Sequence, residues 1–108
     1  MQLQTEVFGD VVVVHTPEEL SHDQAETLER FLPTLEQRYV VLDLDNTESL
    51  DSRGLTALLD GQEMMRELGG NMKIATTNHA NRKILEVTRL DDQLEVFDSI
   101  IDAVKSFC

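Results

Sequence analysis

The chain has little of what would tie or mark a small protein from outside its core. Its 108 residues include one cysteine, Cys108, so no intrachain disulfide is expected. Two prolines and five glycines punctuate it, with no linker, internal repeat or low-complexity segment. Cations are scarce as well. Nine basic against 21 acidic residues give a formal charge of −12, which argues against nucleic acid or an anionic membrane surface as partner. No run of about 18 apolar residues is present, so direct membrane insertion is not expected, and no charged-then-apolar leader opens the chain. Hydrophobic residues at 41% and charged residues at 28% are ordinary for a globular protein. The expectation is one cytoplasmic domain over residues 1–108, long enough to hold a core without metal or disulfide.

What is present centres on residues 40–59. The apolar run Tyr39–Leu42, continuing through Asp43-Leu44, suits a strand covered on both faces, as in parallel sheets. Asn46-Thr47-Glu48 supplies turn chemistry. A helix then opens on Asp51-Ser52, either of which can cap it, because a short side-chain oxygen can accept from an unpaired first-turn amide. Leu55, Leu58, Leu59, Met65 and Leu68 recur at helical spacing and form its apolar stripe. Gly54 lies in the first turn, where a missing side chain admits another backbone or a partner. A serine hydroxyl at a helix start, beyond the carboxyl end of a strand, is where α/β sheets place functional groups.

The flanks fit an α/β domain. Gln2–Phe8 and Val11–His15 surround Gly9-Asp10 as a β-hairpin, the first strand alternating with one wet face. Ser21 and Gln24 make a capping box for a helix bearing Ala25, Leu28 and Leu32, with a kink or restart at Pro33. Gly69-Gly70 stops the central helix. Met72–Thr76 reads as a strand, and Asn78 caps a helix with Ile84, Leu85 and Val87. Leu94–Phe97 is a short extended segment. Ser99 with Asp102 opens a last helix with Ile100, Ala103, Val104 and Phe107 inward. Alternating strands and helices predict a mostly parallel sheet.

At this point the residues resemble a known family. Asp51-Ser52-x-Gly54-Leu55, preceded by Val41-Leu42-Asp43-Leu44, is similar to the signature of the STAS domain, named for sulphate transporters and anti-sigma factor antagonists. The resemblance extends over nearly the whole chain, through Ile84–Leu90 and Val96–Ser99. It implies one small α/β domain: a mixed, mostly parallel sheet of about four strands with an N-terminal hairpin, packed by about four helices. In the antagonists of the family the serine after the aspartate is phosphorylated, which implies Ser52 here. Asp51, Ser52, Arg53 and Gly54, with Leu20 and Ser21 on the neighbouring loop, are then the expected partner-binding residues. Where the family often carries Gly-x-Leu-Asp, this chain has Glu18-Glu19-Leu20-Ser21, keeping the leucine alone. The implied partners are an anti-sigma factor with serine kinase activity and a serine phosphatase. The alternative is a constitutive STAS scaffold subunit of a transporter or signalling complex, not phosphorylated.

Competing chemistry is thinner. The carboxylates Asp43, Asp45, Glu48 and Asp51 suggest a phosphoaspartate receiver, but Val11–Val14 leads to His15-Thr16-Pro17 without an acidic pair. Met72–Thr76 leads to Thr77-Asn78-His79 without a lysine. Ser52 lacks a Gly-x-Ser-x-Gly elbow, and His15, His22 and His79 show no metal-ligand spacing and suit surface or loop positions. The glycine pair ends a helix, so no phosphate-cradling loop is present. Met64, Met65 and Met72 read as core filler, and Arg53 as a solvated side chain able to meet an anionic partner or the phosphate. No enzyme, cofactor or metal is expected.

Overall fold

The computed structural model describes residues 3–107. Among the described residues, seven strands and four α-helices follow in the order β1 (Gln4–Phe8), β2 (Val11–His15), β3 (Glu19–Leu20), α1 (His22–Phe31), β4 (Tyr39–Asp43), β5 (Ser49–Leu50), α2 (Ser52–Glu67), β6 (Asn71–Ala75), α3 (His79–Val87), β7 (Val96–Phe97) and α4 (Ile100–Lys105). The main sheet has five strands in the order β1-β2-β4-β6-β7. Its β1–β2 hairpin is antiparallel and every other pair is parallel. The expected mixed sheet is therefore present, one strand larger than four. Beside it, β3 and β5 make a two-stranded parallel ribbon.

Register decides which side chains meet which layer. Val13, Val41 and Lys73 lie abreast, as do Val12, Val40 and Met72. Because side chains alternate across a strand, the second row joins Val14, Leu42 and Ile74 beneath Leu28, Leu32, Leu58, Met65 and Leu85 of the helical layer. The first row faces Ile100, Ala103 and Val104 of α4 and Phe107 just beyond it. Covered on both faces, β2 and β4 carry the unbroken apolar runs that two-sided burial requires. Lys73 is the exception on its row. Its Nζ pairs with Glu95 at 3.1 Å, donates to Ser106 Oγ at 2.9 Å and lies 4.3 Å from the centre of the Phe107 ring, so the buried cation is matched on every side.

Four local expectations differ from the structure. The first strand has no dry face: all of Gln4–Phe8 is exposed, and β1 is the sheet edge, paired on one side only. The Gln2 at its expected start lies outside the described residues. Ser21 stands at the α1 N-cap but makes no capping bond. Its hydroxyl is directed at Glu19 Oε1 and Gln24 Oε1, each at 2.9 Å, so the glutamate two residues upstream competes for it. The α2 stripe runs over Gly54, Ala57, Leu58, Gly61, Gln62 and Met65, with Leu55 and Leu59 half-buried and Leu68 42% exposed. Val87 is 70% exposed. Both outliers sit at helix ends: Leu68 is the C-cap of α2 and Val87 the last residue of α3.

The stops and caps follow sequence closely. Pro33 falls within a 3₁₀ turn, Leu32–Thr34, that restarts the chain directly after α1. Gly69 takes φ +90 after α2, a left-handed conformation that costs glycine little. Asn78 accepts from Asn81 N at 3.2 Å and Ser99 from Asp102 N at 3.0 Å, capping α3 and α4.

Candidate functional site

The start of α2 has two short polar residues and one capping position. Asp51 occupies it: its backbone is extended and Oδ1 accepts from Gly54 N at 2.9 Å. A carboxylate there meets free amide hydrogens and the positive end of the helix dipole. Ser52 is consequently the first helical residue rather than the cap. It is exposed, and among the described residues its hydroxyl has no hydrogen-bond partner; only its carbonyl is engaged, by Thr56 Oγ1 at 3.0 Å.

Gly54 seats the neighbouring loop. A Cβ on it would lie 2.2 Å from the Leu20 carbonyl oxygen and 3.0 Å from Leu50 Cδ1, so only glycine lets β3 pass this close to α2. The Glu18 carbonyl accepts from Glu48 N at 2.7 Å and Ser49 N at 3.2 Å, extending the β3–β5 ribbon backwards. Segments 18–21 and 48–54 thus form one surface, and the structure brings Leu20 and Ser21 beside Asp51–Gly54. Leu20 itself is fully buried, so it anchors the loop instead of presenting a surface. Gly54 is buried likewise, leaving Asp51, Ser52 and Ser21 as the accessible members.

Arg53 departs from its expected solvated state. Its guanidinium pairs with Glu29 of α1, both side chains being partly buried. Underneath, a buried polar network fixes the loops. Thr16 Oγ1 and Thr47 Oγ1 lie 2.6 Å apart, Thr47 Oγ1 donates to the Pro17 carbonyl at 2.6 Å, and Asn81 Nδ2 donates to the carbonyls of Leu44 and Thr47 at 3.1 and 2.8 Å. These partners are about 30 residues apart in sequence, and no local spacing announces them.

His15 is the other position whose neighbours the sequence conceals. Its Nδ1 is 2.7 Å from Asp43 Oδ2 and its Nε2 2.7 Å from Glu6 Oε1. Burial pushes the imidazole pKa down, but the hydrogen bonds and charges of Glu6 and Asp43 outweigh it and hold it above 6.5. Asp43, the acceptor in a receiver reading, is therefore already committed to His15, and its Oδ1 accepts from Asp45 N at 3.0 Å.

The match to a family covers this whole frame: the STAS domain description fits residues 2–103. The chain belongs to the STAS domain family. Among curated relatives, an "Anti-sigma F factor antagonist" of Paenibacillus polymyxa is 24% identical over 96% of this chain and 92% of its own. In structure, this STAS domain is similar to an anti-sigma factor antagonist from Mycobacterium paratuberculosis, with TM-score 0.84 and 24% identity over 97% and 92% of the two chains. It is also similar to the Bacillus cell fate determinant SpoIIAA in its phosphorylated form, with TM-score 0.73 and 17% identity over 99% and 100%. At these identities the structural likeness establishes the fold. Among the described residues, no helix is long and apolar enough to cross a membrane.

Proposed function

We propose that this STAS domain is an anti-sigma factor antagonist that acts in the cytoplasm and is switched by phosphorylation of Ser52. The unmodified face at the start of α2 binds an anti-sigma factor with serine kinase activity. Phosphate transfer to Ser52 releases that partner, and a serine phosphatase restores the binding form. The domain itself performs no catalysis.

One observation carries the reading. Asp51 caps α2, so Ser52 is exposed with a free hydroxyl at the helix start. A serine used as a cap would have its oxygen engaged by an amide; this one is available to a kinase. A phosphate there brings about −1.5 to −2 charges. The helix dipole and first-turn amides favour an anion at that end, so the fold tolerates the group. The docking face does not stay the same: a patch already bearing the exposed carboxylates Glu18, Glu19, Glu48 and Asp51 gains the phosphate's charge, disrupting a surface fitted to the unmodified serine. The curated relative and the phosphorylated structural neighbour support the same role.

The test is phosphate incorporation. Incubated with its anti-sigma factor and ATP, the protein should carry one phosphate, mapped to Ser52 by mass spectrometry. The modified form should then bind the partner roughly 5–150-fold more weakly, the usual range for such coupling. Absence of phosphate at Ser52 would leave the constitutive scaffold role instead.

A further inference from the structure

The segments that surround Ser52, residues 18–21 and 48–54, contain the exposed carboxylates Glu18, Glu19, Glu48 and Asp51 and a single Lys or Arg, Arg53. That cation is not idle. It ties α2 to α1 through Glu29, across a junction where both side chains are partly shielded. The other basic side chains of α1, His22 and Arg30, each lie 3.9 Å from Glu26.

The geometry points to Arg53 as the intramolecular partner of a phosphate on Ser52, and to Glu29 as the carboxylate that Arg53 gives up to reach it. The inference rests on the phosphorylation proposed above. Arg53 directly follows Ser52 on the first turn of α2; in the resting protein its side chain reaches across to Glu29, near the end of α1, and its rotatable stem lets the guanidinium swing from there to the adjacent position. A dianionic phosphate with three acceptor oxygens outcompetes a single carboxylate for a guanidinium, which binds either in a bidentate fork. Modification therefore exchanges one ion pair for another. Glu29, neutralised in the resting protein, is uncovered as a bare carboxylate on α1, and the anionic patch spreads from α2 across the α1–α2 junction. The release signal is wider than the phosphate itself. Arg53 is a positioning residue in this scheme, and Glu29 its resting counter-ion.

The experiment installs phosphoserine at position 52 during translation, so its outcome does not depend on any kinase. The second ionisation of the phosphate, near pH 6 for a free phosphoserine, is followed by ³¹P NMR in the wild-type background, Arg53→Gln, Arg53→Lys and Glu29→Gln. Amide spectra confirm that each is folded. Arg53→Gln should raise that ionisation by on the order of half a pH unit relative to wild type. Glu29→Gln should lower it, because Arg53 then has no competitor, and Arg53→Lys should restore much of the loss. Identical titrations for Arg53→Gln and wild type would overturn the pairing. An unchanged titration in Glu29→Gln would overturn the exchange. A domain whose Ser52 no kinase modifies would instead fail in the incorporation assay, while this titration could still succeed.

Discussion

Gly54 and Leu20 meet so closely that a methyl group on the glycine would lie 2.2 Å from the leucine's carbonyl oxygen. That approach welds the β3 loop to the first turn of α2 and makes a single surface of two segments about 30 residues apart.

Gly54→Ala therefore has an opposite sign from the usual exchange within a helix. Alanine is ordinarily favoured over glycine there by about 1 kcal/mol. Here the clash is with backbone and cannot be relieved by a rotamer change, so a loss of about 1–3 kcal/mol is expected, the range for overpacked sites. Urea titration measures it. A neutral or stabilising result would show that β3 is not seated on α2.

Leu58 and Leu68 were equivalent on the apolar stripe of the sequence and are not equivalent in the fold. Leu58 is fully buried and Leu68 is 42% exposed. Leu58→Ala should cost about 2–5 kcal/mol, and Leu68→Ala within about 0.5 kcal/mol of zero. Equal losses in the same denaturant titration would contradict the burial of α2.

That contrast shows where sequence reading ends. The caps at Asn78 and Ser99 are legible because each acts within three residues of itself. The β2 and β4 strands are legible because burial on both faces demands an unbroken apolar run. Periodicity also gives the face that a helix turns inward. It does not give where a helix ends or which strand is the sheet edge, and there Leu68, Val87 and the first strand emerge into solvent. Pairings across the fold leave no local trace either. The two-residue strands β3 and β5, the Glu29–Arg53 pair and the His15 bridge exist only once distant segments are packed. The close approach at Gly54 was legible from its place in the first turn; that Asp51 rather than Ser52 serves as the cap was not.

His15 gives a pH dependence. With Asp43 on one ring nitrogen and Glu6 on the other, only the imidazolium donates to both. Its folded pKa is raised above 6.5: burial opposes the charge, but the two carboxylates outweigh it. The folded state thus holds this proton more tightly than the unfolded chain. The resulting stability is fully present below about 6.5, the unfolded value, and is lost as pH rises through the folded one. Glu6→Gln should lower the His15 pKa in an NMR titration and flatten that part of the stability profile. An unshifted midpoint in Glu6→Gln would show that the edge strand does not hold the histidine.

The last prediction separates capping from signalling at two adjacent residues. Because Asp51 accepts from Gly54 N while the Ser52 hydroxyl is free, removing each side chain should affect a different property. Asp51→Ala should cost about 1 kcal/mol, which lowers the melting temperature by roughly 4–8 °C in a domain near this size. Ser52→Ala should stay within about 0.5 kcal/mol of wild type, bind the anti-sigma factor as tightly and become refractory to its kinase. Ser52→Asp should also stay folded, since a negative group at a helix start is tolerated or favoured. It carries about one charge against nearly two and fewer acceptor oxygens, so it should weaken binding by less than true phosphorylation does. Thermal melts paired with calorimetric affinities for the wild type, the three variants and the kinase-treated protein provide the comparison. If Ser52→Ala loses as much stability as Asp51→Ala, the serine is structural. If phosphorylated Ser52 leaves the affinity unchanged, the partner docks elsewhere on the domain and the release mechanism is wrong.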